Sequence, residues 1–124
     1  IHGNPITIFG DGKQTRCFCN VEDTIEALIR LVENDDCVGE VFNIGSSQEI
    51  SIENLAIEVK RIVGSDSEIK YIPYEEAYAS GFEDMRRRVP DSGKIRKFTG
   101  WEAKISLEET IRRVMEHIAK EEKK

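Results

Sequence analysis

The sequence predicts an α/β fold of about three short, largely parallel strands and about four helices, on three observations. Short apolar runs alternate with amphipathic ones through the middle of the chain, the order strand, helix, strand, helix, strand that goes with parallel pairing through crossovers. The amphipathic runs open on residues whose side chains can cap a helix, Asn20, Ser51 and Ser106. The chain of 124 residues, 39% hydrophobic and 34% charged, is long enough for a modest core, so residues 1–124 read as a single domain.

Each element has its own warrant. Residues 1–5 lead in, and Pro5 opens a strand where no ladder donor is needed. Ile6–Phe9 is a short apolar strand. Gly10-Asp11-Gly12 follows, and because glycine takes positive φ without steric cost, local geometry alone favours a plain hairpin into a second strand at 16–21. Asn20 then caps a helix whose Asp23 suits the positive end of the helix dipole. Ile25, Leu28, Leu31 and Val32 recur at helical spacing, and Asn34-Asp35-Asp36 stops the run. Residues 40–44 (EVFNI) are the next strand, ended by Gly45.

Ser51 caps a second helix with an apolar face of Ile52, Leu55, Ala56, Val59, Ile62 and Val63, and Gly64 is its C′ residue. Residues 68–72 (EIKYI) form a further strand that Pro73 bars from extending. Residues 73–89 have weak periodicity, several charges and a Ser80-Gly81 break; they read as a long loop with a helical turn at 74–78. Loops of this length within a compact domain are usually functional or disordered. A short helix starts near Asp91-Ser92, turns Ile95 and Phe98 inward and closes at Gly100, with Trp101 anchoring the next turn. Ser106 and Glu109 make the capping box of a last helix striped by Leu107, Ile111, Val114 and Ile118.

Composition excludes several functions. The net charge is −6 and the cations are scattered apart from Arg86-Arg87-Arg88 and the terminal lysines, which argues against a nucleic-acid partner. No apolar run approaches the roughly 18 residues of a membrane span, and no signal peptide opens the chain. The three cysteines are an odd number, and Cys17 and Cys19 are poorly placed to bridge each other. With His2 and His117 far off in sequence they offer no metal set, so free thiols in a reducing cytoplasm are the expectation. The chain opens on Ile1, not Met, which suggests a piece of a longer protein.

No catalytic site is complete. There is no Walker A loop, no GxGxxG after a strand and no nucleophile elbow, and no pair among the 24 acids stands out. What remains is anion binding. Arg16 leaves the turn beside the Asn20 cap, Asn43 ends a predicted strand, and Arg86, Arg87 and Arg88 close the long loop ahead of a helix start. Arginine's planar fork grips phosphate oxygens by parallel hydrogen bonds, and such groups near strand ends would suit a diphosphate. The competing reading is that these arginines pair with Glu75, Glu76, Glu83 or Asp84 on the surface, where ion pairs contribute little.

The order of the segments carries a resemblance. PITIFGDGKQTRCFCNVEDTIEAL, VFNIGSSQEISIENLA, MRRRVPDSGKIRKFTGW and KISLEETIRRV resemble successive blocks in the C-terminal region of the extended short-chain dehydrogenase/reductases, the nucleotide-sugar epimerases, dehydratases and decarboxylases. The likeness runs from about residue 5 to about residue 115 and is strongest to UDP-glucuronate decarboxylases and UDP-glucose 4-epimerase-like enzymes. It implies that Arg16 binds the diphosphate of a UDP-sugar-like substrate, that Arg87 or Arg88 binds it from the other side, and that Asn43 lines the same pocket. The Ile8-Phe9 backbone would meet the base, with Phe9 as an apolar wall.

The departures are as informative. Members of that family carry a Rossmann half with a glycine-rich NAD turn and a catalytic Tyr-x-x-x-Lys, and neither is in this sequence. Four residues after Tyr71, Tyr74 and Tyr78 stand Glu75, Tyr78 and Phe82. Asn20 stands where many members have an aromatic residue. The resemblance thus implies the substrate-binding part of an NAD-dependent enzyme, with no catalytic residue, metal or NAD site of its own. The alternative is a stand-alone, non-catalytic nucleotide-sugar-binding or interaction module. If half of a joint core lies elsewhere, a face made of Ile6, Ile8 and the helix at 25–32 should be partly bare and seek a partner, either the Rossmann half or a second copy.

Overall fold

The computed structural model describes residues 2–77 and 84–122. They fall into two compact units, one drawn from 1–16, 50–88 and 111–124 and the other from 17–49 and 89–110. The elements are β1 (Ile6–Phe9), β2 (Thr15–Cys17), α1 (Val21–Val32), β3 (Glu49–Ser51), α2 (Ile52–Val63), β4 (Ile69–Ile72), α3 (Tyr74–Ala77), α4 (Gly93–Thr99) and α5 (Leu107–Glu121), with a 3-10 turn at Asp35–Cys37. This is the mixed α/β architecture expected, with more and shorter elements.

In the first unit β1 and β4 pair in parallel, in the register Ile6↔Ile69 to Phe9↔Ile72. Ile8, 1% exposed, is the buried side of β1, so this strand is not the bare face the sequence suggested. The hairpin expectation fails, because β1 pairs with β4 while β2 pairs with β3. The Gly10–Gly12 turn serves α2 instead. The Gly12 and Gln14 carbonyls accept from the Glu53 and Ile52 amides at 2.9 and 3.0 Å, and Ser51 Oγ accepts from Asn54 N at 3.2 Å. Three of the amide donors a helix start leaves unpaired are thereby satisfied. At the other end Gly64, at φ 64°, closes the helix as its pattern predicted.

The second unit is built on Ala27, Ile95 and Trp101, with Cys19, Leu31, Phe42, Ile44 and Ala103 packed around them. Asn20 caps α1 by accepting from Glu22 N at 2.9 Å. Asp23, in the first turn, is 3% exposed, and its Oδ2 accepts from the amides of Lys104 and Ile105 at 3.1 and 2.9 Å. The Trp101 indole N–H donates to the Asp23 carbonyl at 2.9 Å, so the turn the tryptophan anchors is tied to one turn of helix. Val21, Ile25, Leu28 and Val32, on the opposite stripe of α1, are 67, 49, 50 and 86% exposed. That is the part of the expected bare face the structure retains.

The strand expected at 40–44 is absent. Phe42 and Ile44 do turn into the core, alternating with exposed Val41 and Asn43, but no strand pairs with the segment. Lys94 Nζ takes the Val41 carbonyl at 2.9 Å and the Glu40 carboxylate at 2.6 Å. The Phe42 ring meets Phe98 edge-on at 5.3 Å. Side chains of α4 thus hold this segment where a ladder was expected. The strand expected at 16–21 is only Thr15–Cys17, and Ser92 donates to the Gly45 carbonyl at 2.9 Å instead of capping α4. The expected helical turn is seen as α3, Tyr74–Ala77; Tyr78, the Ser80-Gly81 break and Glu83 lie outside the described residues.

Candidate anion-binding site

The site belongs to the first unit and begins at the turn after β1. Gly10 has φ 74°, and a Cβ there would come within 2.5 Å of Tyr74 Cε2. Only glycine lets the Tyr74 ring lie against the turn. The Tyr74 hydroxyl donates to Asp84 Oδ2 at 3.4 Å, a long contact, and Asp84 Oδ1 accepts from Arg16 Nη2 at 2.5 Å. Arg16 Nη1 donates to the carbonyls of Thr15 at 2.7 Å and Met85 at 2.8 Å. A guanidinium held on two carbonyls and a carboxylate has little rotational freedom left, and its side chain is 20% exposed.

Residues 84–88 run beside β2. Thr15 N donates to the Arg86 carbonyl at 2.8 Å, and Thr15 bridges Arg87 in parallel fashion. Arg86 Nη1 reaches both oxygens of Asp11 at 2.8 and 2.7 Å, with side chains 71 and 42% exposed. The Arg86 guanidinium and the Lys13 amide hold the Asp11 carboxyl below its ordinary range. Burial, and then the charge of Asp84 beside it, push the Tyr74 phenol upward. The hydrogen bond between the Tyr71 hydroxyl and Glu53 does the same to Tyr71.

The structure therefore brings Arg16 and the Arg86–Arg88 run together, since Thr15 sits opposite Arg87. Phe9, the last residue of β1, is 37% exposed; its carbonyl accepts from Gln14 Nε2 at 3.1 Å. Ile8 has its side chain buried and its backbone in the ladder with β4. Asn43 belongs to the second unit and is exposed on the unpaired segment, not at a strand end.

Three site residues escaped the sequence. Asp84 was weighed only as one of several surface partners, yet its pair with Arg16 is 29 and 20% exposed, not open surface. Tyr74 carried no signal beyond its nearness to Pro73. Gln14 is 5% exposed, and its Oε1 has no partner among the described residues; one glutamine in a turn breaks no pattern that would expose it. Among the described residues no group of three or more His, Cys, Asp or Glu could hold a metal ion, and none of the helices is long and apolar enough to cross a membrane. None of the three cysteines is in a disulfide. In the second unit a separate concavity of about 490 Å³ is lined by residues 45–48, 90–93 and 101–106, with Arg96; none of the predicted site residues lines it.

A family model described as GDP-mannose 4,6 dehydratase matches residues 2–114. The chain is 34% identical over 116 residues to a UDP-N-acetyl-alpha-D-glucosaminuronate decarboxylase of Bacillus cytotoxicus, covering 94% of this chain and 36% of that protein. It is 38% identical over 115 residues to UDP-glucuronic acid decarboxylase 1 of Arabidopsis thaliana, covering 93% of this chain and 25% of that one. Among solved structures it resembles a UDP-glucose 4-epimerase of Thermotoga maritima, crystallised with UDP-glucose, at a TM-score of 0.83 and 34% identity, over 95% of this chain and 36% of the other. A UDP-glucuronic acid 4-epimerase of Bacillus cereus, in complex with NAD, matches at a TM-score of 0.73 and 25% identity over 88% of this chain and 32% of that one. The chain thus spans about a quarter to a third of the length of these relatives.

Proposed function

Because this chain belongs to the GDP-mannose 4,6-dehydratase family of extended short-chain dehydrogenase/reductases, we propose that it is the substrate-binding C-terminal part of an NAD-dependent nucleotide-sugar epimerase, dehydratase or decarboxylase. Arg16 grips the diphosphate of a UDP-sugar-like substrate. Side chains alternate along extended backbone and bridged partners share a face, so with Thr15 opposite Arg87 it is Arg88 that falls on Arg16's side and supplies the second grip. The Ile8-Phe9 backbone and the exposed Phe9 ring meet the base. The observation that carries this reading is the Thr15↔Arg87 bridge, which brings cations far apart in sequence to one edge.

The helix start beside the glycine turn does not fit NAD. A dinucleotide turn presents free helix-start amides to the pyrophosphate. Here the amides of Ile52, Glu53 and Asn54 are taken by Gly12, Gln14 and Ser51. The nicotinamide cofactor and the Tyr-x-x-x-Lys pair are therefore assigned to the remainder of such an enzyme, together with the exposed stripe of α1 as a surface for that Rossmann half or for a second copy. This chain's share is orientation, holding the nucleoside diphosphate while the sugar reaches the reacting groups. Cysteines without a disulfide, and the family's chemistry, fit a reducing cytoplasm.

A site divided in this way binds weakly by itself. Titrating the 124-residue chain with UDP should give a Kd of about 1 mM, equivalent to about 4 kcal/mol, whereas submicromolar binding would contradict the division. Arg16→Ala and Arg88→Ala should each weaken UDP by about tenfold, the scale of a lost charge-assisted hydrogen bond, and Arg87→Ala should weaken it less.

A further inference from the structure

Arg16 is not waiting with an open fork. Its Nη1 is committed to two backbone carbonyls, and its Nη2 carries the Asp84 carboxylate at 2.5 Å. Asp84 Oδ2 is in turn approached by the Tyr74 hydroxyl at 3.4 Å, and the Tyr74 ring packs on the glycine turn that leads to Arg16. The carboxylate sits where an anionic ligand of Arg16 would have to sit. Both present acceptor oxygens to the same N–H groups, and both are negative, so they cannot share the nitrogen without like-charge repulsion.

We infer that Asp84 is a resident competitor for the diphosphate, an internal anion that occupies Arg16 in the unliganded chain and must leave it when a nucleoside diphosphate binds. The inference rests on the diphosphate reading of Arg16. It adds a regulated step to that reading, because affinity is then set by the difference between two anions for one guanidinium rather than by the guanidinium alone. It also explains why Arg16 can be desolvated without a ligand. The carboxylate and the Met85 carbonyl satisfy it until the substrate arrives, and they keep weaker monoanions from taking the place.

The test is a UDP titration of the 124-residue chain as wild type, Asp84→Asn, Arg16→Ala and the double variant, followed by NMR. Asp84→Asn keeps the shape and removes the charge, and should bind UDP about tenfold more tightly. In the double variant that gain should vanish. Neutralising an exposed carboxylate outside the network, Glu75→Gln, should change affinity less than about twofold, since screening weakens distant charges. If Asp84→Asn binds UDP less tightly or equally well while Arg16→Ala still weakens it, Asp84 merely aims the arginine and the inference is overturned, with the diphosphate reading intact. If Arg16→Ala leaves UDP affinity unchanged, the diphosphate reading itself fails. Should Asp84→Asn not fold, the wild-type chain decides. On saturation with UDP the Asp84 carboxyl ¹³C resonance should move together with the Arg16 side-chain ¹⁵N signals, and an unmoved Asp84 carboxyl overturns the inference.

Discussion

In the second unit Asp23 is 3% exposed, and its Oδ2 accepts from two backbone amides. In the first, Asp84 and Asp11 face arginine side chains, Arg16 and Arg86. The partners decide what each carboxylate does. Backbone amides beside Trp101 cannot move without opening the core of Ala27, Ile95 and Trp101, so Asp23 is a fixed part of the fold. The Arg86–Asp11 pair is exposed and contributes little, whereas Asp84, on the less exposed Arg16, is the carboxylate inferred above to give way to a ligand. One unit holds its shape by packing and buried hydrogen bonds. The other pairs two of its arginines with carboxylates, side chain to side chain.

Truncating the hub of the second unit should sharpen that contrast most. Trp101→Ala should lower stability by about 3–5 kcal/mol, the range for deleting a buried aromatic, seen as a fall in the urea midpoint. Asp23→Ala comes next. It leaves the Lys104 and Ile105 amides without their acceptor and should cost about 1–3 kcal/mol, read in the same denaturation experiment.

The smallest change belongs to the first unit. Asp11→Asn should lower the midpoint at neutral pH only slightly, because the pair with Arg86 is exposed. Its trace is in the pH dependence. A carboxyl whose folded pKa is depressed favours the fold above the ordinary carboxylate range, and that contribution is lost as pH falls through the lowered value. The Asp11 carboxyl ¹³C signal should titrate below an ordinary aspartate, and Arg86→Ala should bring it back only part of the way, since the Lys13 amide still holds it down. An Asp11 that titrates normally would show the pair is not formed in solution.

The helices were the legible part of the sequence, because caps and apolar periodicity are local. Asn20, Ser51, Gly64, Gly100 and Ser106 all stand where their helices start or stop. Strands were harder, since pairing is decided by distant residues. Residues 40–44 had the alternation of a strand, but Lys94 took the carbonyl of Val41. The three residues of β3 were too few to show any period. The turn at Gly10–Gly12 looked like a hairpin because glycine's freedom says that the chain bends, not where it goes next. Of the site, Arg16 and the arginine run were visible as residue types in suggestive places. Their shared edge depends on a contact 72 positions apart, Thr15 to Arg87, and no local pattern encodes it. Nor could sequence rank Asp84 above Glu75 or Glu76 as the partner of Arg16.

Amide and side-chain shift mapping of the 124-residue chain during a UDP titration reads which edge takes the anion. Thr15, Arg16 and Arg88 should shift on titration while the Trp101 indole stays still. Shifts centred on Trp101 and α4, with Arg16 and Arg88 unmoved, would contradict the diphosphate reading.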